Sequence, residues 1–117
     1  MKEEYDGCPC FNMMHCNKDG YLAEHKNDGT YRLAFGNITM DIDQALLRDW
    51  YQKICELVNH YEKRICPVQK AFVFNTSSGH VKMVYSWLEL NSLADLLSPV
   101  MLILDARQIV AGNDEDQ

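Results

Sequence analysis

The residues best suited to chemistry lie near the N-terminus: Cys8, Cys10, His15, Cys16 and His25. Thiolate and imidazole are donors that zinc favours, and a closed structural site takes four of them in a tetrahedron. The expected ligand set is Cys8, Cys10, Cys16 and His25, with His15 and Asp28 as substitutes. Asp28 would contribute an oxygen donor from a turn. A bound zinc ion would tie down residues 1–20, where Gly7, Pro9, Asn12, Asn17 and Gly20 oppose regular structure and little apolar surface is available to bury. The spacing is C-x-C-x5-C, not the paired C-x2-C of zinc ribbons. Incidental thiols on an irregular segment are therefore the competing reading.

The same thiols define an alternative, an enzyme. A C-x-C pair can exchange disulfides, or thiols can hold a catalytic metal with an open position. Against thiol chemistry, Glu3, Glu4 and Asp6 would raise a neighbouring thiol pKa, and no basic residue stands by to lower it. Ser77, Ser78 and His80 share one turn, where Ser and Gly serve turn geometry. The sequence contains no G-x-S-x-G elbow, no phosphate-binding Walker loop and no H-E-x-x-H helix. No catalytic residue is assigned, and zinc is the only cofactor expected. The function expected first is a small binding or regulatory module.

The composition narrows the partners. The chain has 117 residues and a net charge of −6. An acidic chain lacks the basic face that neutralises phosphates, so nucleic acid and anionic membrane surfaces are not expected partners. The start, MKEEYDGCPC, carries no apolar signal core. The apolar run at 100–104 is too short to span a bilayer. Five cysteines without an export signal point to reduced thiols and a cytoplasmic location. Cys55 and Cys66 fall in an expected helical stretch, where they would pack as small apolar groups.

The elements that would position these residues can be read from the turns. Gly36-Asn37 spells a type II′ hairpin turn, pairing Phe35 with Ile38, Leu33 with Met40 and Tyr31 with Ile42 on one face. The other face pairs Ala34 with Thr39 and Arg32 with Asp41. Asn27-Asp28-Gly29 reads as a three-residue loop, pairing His25 with Tyr31, Glu24 with Arg32 and Ala23 with Leu33. Glu24, Arg32 and Asp41 then form a charged row across three strands. Asp43 caps a long amphipathic helix that carries Leu46, Leu47, Trp50, Tyr51, Ile54, Leu57, Val58, Tyr61 and Ile65 on one side and ends by Pro67. Strands at 71–75 and 81–88 follow, joined by a turn at 76–79. A last helix starts at Asn91 or Ser92. Pro99 kinks it or starts a second helix, Gly112 closes it, and 113–117 form an acidic tail.

The expected architecture is a single α+β domain over 1–117 with the order β-β-β-α-β-β-α. Both helices bury an apolar stripe on one face of a five-stranded antiparallel sheet. The open face and the sheet edges are the expected binding surfaces, for a homodimer or for an unknown protein partner.

The Cys8, Cys10, Cys16 cluster followed by Leu33-Ala-Phe-Gly-Asn37 resembles small uncharacterised bacterial proteins grouped as domains of unknown function. The resemblance implies no activity. A zinc protein of conventional pattern would carry a second cysteine pair in the hairpin, where this chain has His25 and Asp28. A mixed Cys/His/Asp site or no site at all is left open by that departure.

Overall fold

In the computed structural model the described residues are 10–61, 66, 68–76 and 78–115. Cys8 lies outside them. The elements are β1 (Phe11–Asn17), β2 (Gly20–His25), β3 (Thr30–Phe35), β4 (Ile38–Asp43), α1 (Gln44–Tyr61), β5 (Phe72–Asn75), β6 (Lys82–Tyr85) and α2 (Trp87–Glu115). The fold is α+β with two helices, as expected. Its strands form two sheets, a four-stranded one in the order β1-β2-β3-β4 and a two-stranded β5-β6 hairpin. The expected single sheet of five strands is corrected on both counts.

The added strand, β1, lies in the stretch expected to be irregular. Its turn follows from Asn17, whose Oδ1 accepts the N–H groups of Asp19 at 2.9 Å and Gly20 at 3.1 Å. Asn17 and Gly20 bracket a two-residue hairpin, so they act as punctuation and not as breakers. Gly20 has a second role. A Cβ there would sit 1.9 Å from the Ala34 carbonyl oxygen, so β2 meets β3 only with glycine at that position.

The β3–β4 register is the expected one throughout, from Phe35↔Ile38 to Thr30↔Asp43. Gly36 has φ +64° and Asn37 does not adopt positive φ, which fits a type II′ turn. The β2–β3 register differs by one residue from the expected one: Leu22 faces Leu33, Ala23 faces Arg32 and Glu24 faces Tyr31. The loop is longer than expected and runs from Lys26 to Gly29. A one-residue slip exchanges the two faces of a strand, and burying Leu22 decides the outcome. Glu24 consequently leaves the expected charged row. It points to the helix side and accepts from Arg107 of α2 at 2.7 Å. Arg32 and Asp41 keep their bidentate contact, at 2.9 and 3.2 Å.

Asp43 caps α1 as expected, its Oδ1 accepting the Leu46 N–H at 2.8 Å. At the other helix the expected start is displaced. Ser86 Oγ accepts the Glu89 N–H at 3.1 Å, and Glu89 Oε1 accepts the Ser86 N–H at 2.8 Å. This reciprocal capping box ends the expected strand 81–88 at Tyr85 and starts α2 at Trp87. α2 then runs through Pro99 and Gly112 without interruption, so neither residue ends it.

One hydrophobic cluster joins all these elements. Leu22, Leu33 and Phe35 come from the larger sheet, Leu47, Trp50 and Ile54 from α1, and Phe74, Met83 and Tyr85 from the hairpin. Leu90, Leu93, Leu96, Leu97, Val100, Met101 and Leu104 come from α2. Edge-to-face rings link the layers, Phe35 to Tyr85 at 5.7 Å and Trp50 to Phe74 at 6.4 Å, the geometry that aromatic quadrupoles favour.

Candidate functional site

The expected zinc ligands are divided by the β1–β2 hairpin. Cys10 lies beside the end of β2, where its carbonyl accepts the Lys26 N–H at 2.8 Å. Phe11, the next residue, pairs with His25, and their rings meet edge to face at 5.0 Å. Asp28 also belongs to this end, its Oδ1 3.1 Å from His25 Nδ1. Cys16 pairs instead with Tyr21. That places it four strand residues from His25, about 13 Å along β2. His15 pairs with Leu22, so it points to the helix side of the sheet, away from the face that carries His25.

The structure thus brings Cys10, His25 and Asp28 to one end and does not bring Cys16 or His15 to them. Asp28 has a local role there. It accepts from the Thr30 hydroxyl at 2.6 Å and the Thr30 N–H at 3.1 Å, and these bonds hold its carboxyl below the usual range. Among the described residues, no group of three or more His, Cys, Asp or Glu side chains is placed to hold a metal ion.

The more developed feature is a groove where the two sheets fail to join. β4 is an edge strand of the larger sheet. Beside it runs a groove of about 520 Å³, lined by every residue from Ile38 to Asp43, by Leu46 and Trp50 of α1, and by Thr76, Ser78, Val81 and Met83 of the β5–β6 hairpin. Strand side chains alternate between faces. A groove touching all six residues of β4 therefore runs along the strand's edge.

The pairing shows which backbone groups look into it. Phe35 and Ile38 close a two-residue turn and form a hydrogen-bonded pair, and such pairs alternate along an antiparallel ladder. Ile38, Met40 and Ile42 thus turn their N–H and C=O groups toward β3. Thr39 and Asp41 turn theirs outward, as does the N–H of Asp43, whose C=O enters the first turn of α1. The side chains alternate in step. Met40 and Ile42 join the core face, whereas Thr39, Asp41 and Asp43 are exposed.

The charges at this edge are acidic. Arg32 meets Asp41, with its guanidinium 4.5 Å from the Phe11 ring centroid. Asp43 carries the helix cap. Each of the two apolar walls includes a residue tied into the core, Trp50 on α1 and Met83 on the hairpin, respectively 8% and 3% exposed. The groove therefore has sides anchored in the core and a polar backbone rim.

The sequence makes sheet edges expected binding surfaces but does not mark this edge. Its only local signal is the alternation of Ile38, Met40 and Ile42 with Thr39, Asp41 and Asp43, which reads the same in a central strand with one solvated face.

No family model matches the chain. No curated protein and no solved structure matches it at a significant level. No helix among the described residues is long and apolar enough to cross a membrane.

Proposed function

We propose that this protein is a small binding module that takes a segment of a partner protein in the groove along β4. The observation that carries the reading is the coincidence of a strand edge unpaired among the described residues with a largely apolar cleft along its whole length. Edge strands offer rows of unsatisfied donors and acceptors, and proteins commonly blunt or cover them. Here the edge is long, and the hairpin stands apart from it as a second wall. The module works by recognition and needs no catalytic group. The same reading places it in the cytoplasm, where exposed thiols such as Cys16 and Cys66 stay reduced.

The test is a nuclear magnetic resonance titration of the ¹⁵N-labelled full chain with pooled random decapeptides. The reading predicts amide shift changes concentrated on β4, the first turns of α1 and Val81 to Met83. Changes confined to other surfaces, or an unchanged spectrum at millimolar peptide, would contradict it.

A further inference from the structure

From the geometry of the β4 edge we infer the chemistry of the partner: an extended segment of alternating apolar and basic residues that adds to the sheet as an antiparallel strand. This inference rests on the groove being the binding surface. It goes further by fixing how the segment lies and what side chains it carries.

The backbone sets the mode. Thr39 and Asp41 present outward N–H and C=O groups at two-residue spacing, and Asp43 adds its N–H, its C=O being taken up by the first turn of α1; this is the pattern an added strand satisfies. The side chains then set the alternation. Partner residues opposite Thr39, Asp41 and Asp43 project to the exposed face, beside two carboxylates. Asp41 is already in contact with Arg32 at 2.9 Å but remains 56% exposed, so it can also face a second cation. Lysine or arginine there makes favourable cross-strand pairs. Partner residues opposite Met40 and Ile42 project to the other side, into the cleft walled by Leu46, Trp50 and Met83. Aliphatic side chains fill it.

The net charge of −6 favours the same partner at long range, since complementary fields raise association rates. It also opposes a second copy of this chain. In the antiparallel register that engages all three outward residues, β4 against β4 would set Asp41 directly opposite Asp41. Like charges directly opposed destabilise a strand pair.

The experiment uses the full chain and the capped heptapeptide Lys-Val-Lys-Val-Lys-Val-Lys, followed by calorimetry. Three companions and a double variant isolate each part of the inference. One peptide has Glu in place of Lys. A second is N-methylated at its lysines, whose N–H groups would face β4. The third is the protein variant Thr39→Pro, which removes one outward N–H from an edge strand that tolerates proline, with its fold confirmed by circular dichroism.

One-to-one binding of the Lys/Val peptide is expected. Losing the two hydrogen bonds to the Thr39 and Asp41 carbonyls should weaken the N-methylated form by about tenfold. The double variant Asp41→Asn, Asp43→Asn should weaken the Lys/Val peptide by about 3- to 10-fold, and the Glu peptide should bind more weakly still.

Equal affinity for the methylated and unmethylated peptides overturns strand addition and leaves the groove reading standing. Preference for the Glu peptide overturns the charge assignment. No heat of binding from the Lys/Val peptide, while peptide pools still perturb the groove, overturns this inference alone. A dimer in sedimentation that Thr39→Pro dissociates gives the edge to a second copy and overturns it as well.

Discussion

Leu22 lies directly opposite Leu33 across the β2–β3 ladder, with 0% and 1% of their surfaces exposed. This pair fixes the register of the sheet. It decides that Glu24 turns toward Arg107 of α2 and that Ala23, not Leu22, shares a face with Arg32. Leu22→Ala should therefore behave as a core truncation, costing about 2–5 kcal/mol in urea denaturation. A loss under about 0.5 kcal/mol, the range of surface substitutions, would mean that Leu22 is on the open face and the register is wrong.

The start of α2 depends on two side chains that satisfy each other's backbone. Burial pushes the Glu89 carboxyl up, but bonds from Lys70 and Ser86 outweigh it and hold the carboxyl below its usual range. Ser86→Ala removes the hydroxyl that receives the Glu89 N–H and should cost about 1 kcal/mol, read as a lower midpoint in thermal unfolding. Ser86→Asp, which keeps a capping acceptor, should recover most of the loss. An alanine variant as stable as the parent would show that the helix begins elsewhere.

The position of α2 was partly legible in the residues. The motif Ser86-Trp87-Leu88-Glu89 is a capping box in the sequence, yet the alternation of Val81, Met83, Tyr85 and Trp87 extends the strand signal straight across it. A hydroxyl and a carboxylate at helical spacing prevailed over two further alternations. The β3–β4 hairpin was fully legible because Gly36 fixes the turn, and the turn fixes every pair. The β2–β3 loop was not. Register by one turn length or another changes which of Leu22 and Ala23 faces the helices, and only the packing of Leu22 into the core settles that choice. The groove was the least legible feature. Whether β4 is central or an edge depends on how the β5–β6 hairpin packs, and no residue within β4 records it.

Tyr85 gives the protein a weakness in alkali. Burial, with a smaller contribution from the Glu89 carboxylate, pushes its phenol up to about 12, against about 10 in an unfolded chain. The folded state keeps this proton more tightly, so the stabilisation is complete below pH 10. It declines as the pH rises from 10 to 12, because the unfolded chain ionises first. Tyr85→Phe should flatten the fall of stability over that window in denaturation at stepped pH. An identical decline in the variant would assign the alkaline transition to other groups.

The placement of Cys16 makes a prediction about zinc. Ligands of one ion lie within about 2.3 Å of it, and Cys16 is about 13 Å along the strand from His25. Cys16→Ser should leave unchanged whatever zinc co-purifies with the chain, measured by plasma mass spectrometry on protein prepared without chelators. A fall in zinc content on that substitution would show that Cys16 is a ligand after all.

The most direct measurement of the central claim is amide hydrogen exchange at β4 with and without the Lys/Val heptapeptide. If a partner segment joins the sheet, the N–H groups of Thr39, Asp41 and Asp43 gain acceptors. Their exchange should then slow by about tenfold or more at saturating peptide, while Met40 and Ile42, already bonded to β3, change less. Unchanged exchange at Thr39, Asp41 and Asp43 under saturating peptide would contradict strand addition at this edge.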